Sequence, residues 1–138
     1  MIAPAGPSLT RAAAPTILVV DDDRAVADTF ARMLSIEGFG VATALSADAA
    51  FAITSTTRPD AIILDMRMPI TTGLQFLRRL RSNAALASIP VAIVTGDYFL
   101  SDRIQDELRS LGAVVRYKPL WLDELIHLAR TLLDHPAA

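Results

Sequence analysis

Acidic side chains directly follow two of the short apolar runs in this chain. Asp21, Asp22 and Asp23 follow the first run, and Asp65 follows the run Ala-Ile-Ile-Leu. Carboxylates crowded at one point repel one another, and a hard divalent cation relieves that repulsion. An all-oxygen site of carboxylates, a carbonyl and water suits octahedral Mg²⁺. These residues therefore predict a magnesium site, with Mg²⁺ as the cofactor.

Two further apolar runs end in groups that can bind phosphoryl oxygens. Thr95 follows the run Val-Ala-Ile-Val, and Lys118 follows a later run that ends in tyrosine. Lys118 is the only lysine beside twelve arginines, and a compact ammonium is not interchangeable with a planar guanidinium. A carboxylate can act as a nucleophile toward a phosphoryl group, and that transfer depends mainly on positioning and charge stabilisation. The set predicts phosphoryl transfer to one of the carboxylates, with Lys118 and Thr95 holding the phosphoryl oxygens.

Each of these residues has a simpler interpretation when it is taken alone. An acidic residue between a strand and a helix is more often an N-cap than a metal ligand, and we favour that interpretation for Asp23. Thr95 alone indicates a turn, and Lys118 alone indicates a solvated surface. Asp65 alone could cap a loop. Only their joint occurrence at the ends of several apolar runs favours the chemistry.

The elements that must position these side chains follow a repeating strand–helix pattern. Continuous apolar runs, typical of strands buried on both faces, alternate with stretches of helical period. Gly38 and Gly112 are typical of helix C-termini. This pattern predicts an α/β fold with a five-stranded parallel sheet and five helices, and ligands of such sheets bind beyond the carboxyl ends of the strands. The predicted strands cover 16–20, 39–43, 61–64, 91–94 and 113–117, and the last three helices cover about 72–82, 101–111 and 122–133.

Length and composition fit one domain. The chain has 138 residues, of which 52% are hydrophobic, enough for one core. We expect residues 1–15 to form a disordered Ala/Pro-rich leader, 16–134 the domain and 135–138 a tail. No apolar run reaches the length of a membrane span, and a net charge of −2 does not favour nucleic-acid binding. The lack of cysteines and of a signal-like N-terminus predicts a cytoplasmic protein.

Four segments together resemble the receiver domain of two-component response regulators, the CheY-like superfamily. They are ILVVDDD, ILDMRMPITTG, IVTG and YKP, which occur in this order at 17–23, 63–73, 93–96 and 117–119. The resemblance covers about residues 16–134. It implies a doubly wound, flavodoxin-like fold with strand order 2-1-3-4-5. It also implies a signalling module that catalyses only its own phosphorylation and dephosphorylation.

The resemblance assigns roles around the predicted metal. It makes Asp65 the phospho-acceptor and makes Asp22 and Asp65 side-chain ligands of Mg²⁺. Asp21 would act through a water molecule, and the backbone carbonyl of Arg67 would be a further ligand.

The resemblance also describes a switch, and here the sequence departs from the family. Thr95 would move toward the phosphoryl group, Lys118 would pair with that group, and the Lys118–Pro119 bond would be cis. Receivers commonly carry an aromatic residue where this chain has Val115. Tyr117 directly precedes Lys118, and because neighbouring strand residues point to opposite faces, we do not expect Tyr117 to replace it. The usual relay from threonine to aromatic residue is therefore in doubt.

The family also implies partners. A sensor histidine kinase or phosphotransfer protein would donate the phosphoryl group, and a downstream protein target would meet the changed surface. The face made by the fourth helix, fifth strand and fifth helix could mediate this contact or a homodimer. Trp121 could be an exposed anchor for a partner or could pack over the start of the last helix, and we favour packing.

Two alternatives remain open at this point. A haloacid-dehalogenase-like phosphatase would use Asp21 and Asp23 as its Asp-x-Asp pair and would leave Asp65 without a role. A receiver-like scaffold would bind its partner without phosphorylation.

Overall fold

A computed structural model describes residues 14–134 of the chain. The predicted leader at 1–15 lies outside the described residues except for its last two positions, and the predicted tail at 135–138 lies outside them entirely. None of the helices within the described range has the length and apolar character needed to cross a bilayer.

Five parallel strands form one sheet, as the sequence predicts. The continuous apolar runs become strands that are buried on both faces, β1, β3 and β4 above all. The order across the sheet is β2-β1-β3-β4-β5, which confirms the doubly wound prediction. All strands are parallel, but β2 lies on one side of β1 and the later strands lie on the other side. The topological switch point is therefore between β1 and β3, and such folds bind ligands there. The strands are β1 (Thr16–Val20), β2 (Gly40–Ala44), β3 (Ala61–Leu64), β4 (Val91–Thr95) and β5 (Val114–Tyr117).

Within residues 14–134, four helices connect successive strands and a fifth follows β5, and side chains cap several of them. The Asp23 carboxylate accepts hydrogen bonds from the first turn of the first helix, and Thr72 forms a reciprocal capping box with Gln75 at the third. Such caps satisfy backbone N–H groups that have no partner within the helix. The helices are α1 (Arg24–Ile36), α2 (Ala47–Thr56), α3 (Gly73–Ser82), α4 (Asp102–Ser110) and α5 (Leu122–Asp134). These bounds lie within about two residues of the predicted ones where a range was predicted.

The sheet separates two apolar cores. On one face α1 and α5 pack against β1, β3 and β4, and on the other face α2, α3 and α4 pack against the same strands. Arg81 fastens the end of α3, because its guanidinium donates to the carbonyls of Ala87, Ile89 and Leu111. Trp121 does not pack as expected, since it is 67% exposed. The two layers leave the carboxyl ends of the strands as the open rim of the domain.

We predict that Phe76→Ala strongly destabilises the domain. Phe76 is fully buried, and its ring meets Phe51 edge-on with the ring centroids 5.1 Å apart. Truncating a buried phenylalanine removes apolar contacts and leaves a cavity, which costs about 3–5 kcal/mol of unfolding free energy. Urea denaturation measures this loss. Ile36→Ala is the control, because Ile36 is 73% exposed and its truncation should change stability by about 0.5 kcal/mol or less. Equal losses would contradict this account of the core.

Candidate functional site

The first and third strands deliver acidic residues to the same place at the rim. Asp21 follows β1 and Asp65 follows β3, and these strands are neighbours in parallel register. Backbone hydrogen bonds continue the pairing of β1 with both of its neighbours by one residue. The Asp65 N–H donates to the Val20 carbonyl of β1 at 2.9 Å, and the Asp21 N–H donates to the Ala44 carbonyl of β2 at 3.1 Å. The register of the sheet thus fixes both backbones.

Three carboxylates meet at this point. Asp21, Asp22 and Asp65 each place a carboxylate oxygen within 4.8 Å of the others. Asp21 and Asp65 are buried, whereas Asp22 is exposed. Asp23 does not join them, because its carboxylate caps α1 through the N–H groups of residues 25 and 26. The N-cap interpretation of Asp23 is therefore confirmed, and the remaining three form a group that could hold a hard cation.

Lys118 supplies the positive charge of the site. Its Nζ donates to Asp21 Oδ2 at 2.8 Å and lies 3.6 Å from Asp65 Oδ1. Its backbone N–H donates to the Thr95 carbonyl at 2.9 Å, so the end of β4 holds the main chain of the lysine in place. The Lys118–Pro119 bond is cis, as the resemblance implies. One ammonium therefore contacts two of the three carboxylates.

This imbalance of charge changes how the site titrates. Burial raises the pKa of the Asp65 carboxyl, Lys118 opposes that rise, and the negative charges of Asp21 and Asp22 add to it, with a net rise. Burial lowers the pKa of Lys118, but its hydrogen bond to Asp21 and the nearby carboxylates outweigh burial and raise it. Lys118 therefore stays charged. A cation that offsets the charges of Asp21 and Asp22 would lower the pKa of Asp65 and so favour its anionic form.

Thr95 lies at the end of β4 and is fully buried. Its hydroxyl accepts a hydrogen bond from the Asp97 N–H at 3.1 Å. The Asp97 carboxylate in turn pairs with the Arg67 guanidinium at 2.7 Å, which joins the loop after β3 to the loop after β4. The side chain of Arg67 is thus engaged across the rim, while the metal role of its carbonyl stays a prediction.

Gly73 is needed where α3 begins. A Cβ added to Gly73 would lie 2.5 Å from the carbonyl oxygen of Asp65 and 3.0 Å from the Cα of Met66. Both neighbours are backbone atoms, so neither can turn aside as a flexible side chain could. The Gly73 N–H also donates to the Met66 carbonyl at 2.9 Å. A glycine here lets α3 lie directly against the backbone of the predicted acceptor.

The expectation for Tyr117 is wrong in one respect. Residues 115 and 117 are two positions apart, so they lie on the same face of β5 and not on opposite faces. Val115 is paired with Ile93 and packs against the core beneath α4. Tyr117 is paired with Thr95, and its ring stacks on Tyr98 with centroids 5.5 Å apart. The stacked pair of Tyr98 and Tyr117 therefore lies on the face of β5 that Val115 also occupies, two residues nearer the rim.

The sequence matches the family described as the response regulator receiver domain over residues 17–129. That range includes the acidic cluster, Thr95 and Lys118. The chain is a response regulator receiver domain. It is therefore a module of two-component signalling and not a classical enzyme, and the acidic pocket at the rim fits the phospho-acceptor site of such a domain.

Curated relatives agree with this assignment. The receiver domain is 38% identical to the response regulator MprA of Mycolicibacterium vanbaalenii over 117 residues, which are 85% of this chain and 49% of that protein. It is likewise 38% identical to the response regulator MprA of Mycobacterium avium, over 85% of this chain and 50% of that protein. The chain spans about half the length of the curated relatives it matches.

Solved structures show the same architecture. The chemotaxis protein CheY4 of Vibrio cholerae superposes with a TM-score of 0.80 at 27% identity, covering 88% of this chain and 100% of that one. A response regulator receiver protein from Pseudomonas putida gives a TM-score of 0.79 at 28% identity, covering 88% of this chain and 99% of that one. The flavodoxin-like fold with strand order 2-1-3-4-5 is therefore confirmed.

Three residues of the receiver site were missed from the sequence. Asp97 lies two positions beyond the end of β4, so inspection of the rim could have included it. Gly73 closes the segment ILDMRMPITTG, but only the approach of its backbone to Asp65 explains it. Tyr98 carries no local signal, because its role depends on the path of the loop.

We predict that Gly73→Ala destabilises the receiver and that Gly96→Ala does not. The added methyl at residue 73 would press on the Asp65 carbonyl, and overpacking of this kind costs about 1–3 kcal/mol. The same methyl at residue 96 meets no atom within 4 Å. Thermal unfolding of both variants compares the two cases. Equal stability of the variants would show that α3 can shift away from Asp65 without cost.

Proposed function

We propose that Asp65 is the residue of this receiver that accepts the phosphoryl group. The observation that carries the proposal is that Asp65 is buried at the rim with two acidic neighbours and an ammonium 3.6 Å away, farther than the 2.8 Å at which the same ammonium is bonded to Asp21. Asp21 is committed elsewhere, because its two oxygens accept from Lys118 and from the Asp23 N–H. Asp22 is exposed. Asp65 is thus the carboxylate left to act as a nucleophile.

In the proposed reaction a carboxylate oxygen of Asp65 attacks the phosphorus of a phosphohistidine. The bond between phosphorus and the imidazole nitrogen breaks, and the nitrogen leaves with the electron pair. Lys118 already lies between Asp21 and Asp65, so its ammonium can pair with a phosphoryl oxygen through a small displacement. The Thr95 hydroxyl supplies a hydrogen-bond donor from the neighbouring strand end. Their contribution is to stabilise charge that the transfer places beside two carboxylates.

We propose that Asp22 and Asp65 hold Mg²⁺ through their side chains, Asp21 through water and Arg67 through its backbone carbonyl. The donor set fits, because three carboxylates converge within 4.8 Å and hard cations prefer oxygen ligands. When bound, the ion neutralises part of the negative charge that faces the incoming phosphoryl group. The ladder between β1 and β3 holds the backbones of Asp21 and Asp65, from which two of the three carboxylates extend.

We propose a sensor histidine kinase or a phosphotransfer protein as the phosphoryl donor and a downstream protein as the target. The domain would catalyse its own phosphorylation and its own hydrolysis. The face made by α4, β5 and α5 is the proposed output surface and the proposed site of any homodimer. This assignment is supported by the contacts of the β4–α4 loop, residues 96–101, with Thr95 and Lys118, because that loop leads into the face.

The two alternatives gain no support from the site. A phosphatase using Asp21 and Asp23 would need both carboxylates to face one pocket, yet Asp23 caps α1. A scaffold that works without phosphorylation would not need Asp65 beside Lys118. Partner binding that is unchanged in Asp65→Ala would nevertheless favour the scaffold.

We predict that phosphoramidate with Mg²⁺ adds one phosphoryl group to the protein and that Asp65→Asn abolishes the addition. An amide lacks the anionic oxygen that must attack phosphorus. Intact-mass spectrometry detects the adduct. Asp28→Asn is the control, because Asp28 is an exposed residue of α1 outside the carboxylate cluster, and it should be labelled like the wild type. Equal labelling of Asp65→Asn would overturn the assignment of the acceptor.

We predict that Mg²⁺ stabilises the wild type and that Asp22→Asn removes this stabilisation. A ligand that binds only the folded state adds about 2.7 kcal/mol at one hundred times its Kd. Asp22→Asn also removes a negative charge that acts on Asp65, so without Mg²⁺ the variant should be at least as stable as the wild type. Thermal unfolding across a Mg²⁺ titration measures both effects, with Asp28→Asn as the control. The same Mg²⁺-dependent shift in Asp22→Asn would rule out Asp22 as a ligand.

A further inference from the structure

The β4–α4 loop, residues 96–101, is tied to the site at its first turn. The Asp97 N–H donates to the Thr95 hydroxyl, and the Asp97 carboxylate accepts from the Phe99 N–H at 3.0 Å. The position of the Thr95 side chain thus helps to determine the conformation of residues 97–99. Thr95 is fully buried, and a β-branched side chain changes position by discrete rotamer steps.

Tyr98 ties the same loop to the site a second time. Its hydroxyl donates a hydrogen bond to the backbone carbonyl of Lys118. Its ring stacks on Tyr117 at an interplanar angle of 23°, and Tyr117 is the register partner of Thr95. Tyr98 therefore bridges β5 and the loop, in contact with the residue that carries the ammonium of the site.

The acceptors of these two hydrogen bonds are Thr95 and Lys118, the residues that are proposed to bind the phosphoryl group. If Thr95 turns its hydroxyl toward a phosphoryl oxygen on Asp65, the Asp97 N–H loses its acceptor. The Tyr98 hydroxyl is bonded to the Lys118 carbonyl, whose main chain β4 holds in place, so a displacement of residues 97–99 must break this bond. Both changes act on one three-residue turn.

We propose that Tyr98 is a latch that holds the β4–α4 loop in the unphosphorylated conformation and opens when Asp65 is phosphorylated. This inference rests on the proposed function of Asp65. It assigns to Tyr98 a coupling role that Val115, as an aliphatic residue, cannot fill. Tyr98 is 58% exposed and Phe99 is 92% exposed, so release of the latch changes how two adjacent aromatic side chains are presented to a partner.

The latch has a thermodynamic consequence that can be measured. A bond made only in the unphosphorylated conformation opposes any ligand that favours the other conformation. Removing the bond must then tighten the binding of that ligand. Beryllofluoride, which mimics a phosphoryl group on aspartate, is the probe.

The experiment compares Tyr98→Phe with Tyr117→Phe in the presence of Mg²⁺. Tyr98→Phe keeps the stacked ring and removes the hydroxyl, and because a neutral hydrogen bond has a modest net effect, beryllofluoride should bind about 2- to 10-fold more tightly. Tyr117→Phe removes the hydroxyl of the other stacked ring, for which no hydrogen bond is observed to any of residues 14–134, and should bind like the wild type. Isothermal titration calorimetry measures the three dissociation constants.

The outcomes separate the latch from the function on which it rests. Unchanged or weaker binding by Tyr98→Phe, or an equal change in both variants, overturns the latch and leaves the role of Asp65 intact. No binding by the wild type overturns both. As a second measurement, fluorotyrosine gives two ¹⁹F signals, because the chain has two tyrosines. The signal assigned to Tyr98 should shift on addition of beryllofluoride, and a stationary signal would also overturn the latch.

Discussion

Crowding of like charge at the carboxyl ends of β1 and β3 is the constraint on which the rest of this receiver depends. Two buried carboxylates and a third exposed one share a space of 4.8 Å, and one ammonium partly balances them. Such a group is unfavourable in isolation, because each charge raises the free energy of the others. It persists because the backbones that carry it are held by a sheet buried on both faces. The stability of the cores thus maintains a site that would otherwise spread apart.

The backbone of the acceptor and the loop beside it are held by different kinds of contact. The acceptor backbone is fixed by the ladder to Val20 and by the close approach of Gly73. In the loop after β4, Leu100 is buried in the core, but the first turn is held by a few polar contacts at the surface, among them the ion pair of Arg67 with Asp97. Exposed ion pairs and single hydrogen bonds are individually weak. The fold therefore places individually weak attachments next to the group whose charge is proposed to change.

The strands and the converging residues could be predicted because their signals are local or follow from parallel topology, whereas the strand order followed from the resemblance to the receiver family. Apolar runs identify the strands, and any residue just after such a run reaches the rim, which is how Asp21, Asp65 and Thr95 were found. Asp23 was also assigned correctly, because an N-cap depends on neighbouring residues alone. Gly73 and Tyr98 could not be found in this way, because their roles depend on contacts between segments. The error over Tyr117 was different in kind, since correct counting along β5 would have avoided it.

The lone lysine has a practical consequence for chemical biology. Lys118 carries the only side-chain amine in the sequence, and that amine lies 2.8 Å from Asp21 and 3.6 Å from Asp65. Acylating reagents, which in most proteins decorate many surface lysines at once, have a single side-chain target here. Apart from the N-terminal amine, a label would attach at Lys118 alone. Because its ion pairs raise the pKa of Lys118, the rate of attachment would report on how readily the ammonium leaves those pairs and loses its proton. Acylation of the lysine side chain, which is usually only a labelling step, would in this chain probe the phosphorylation site directly.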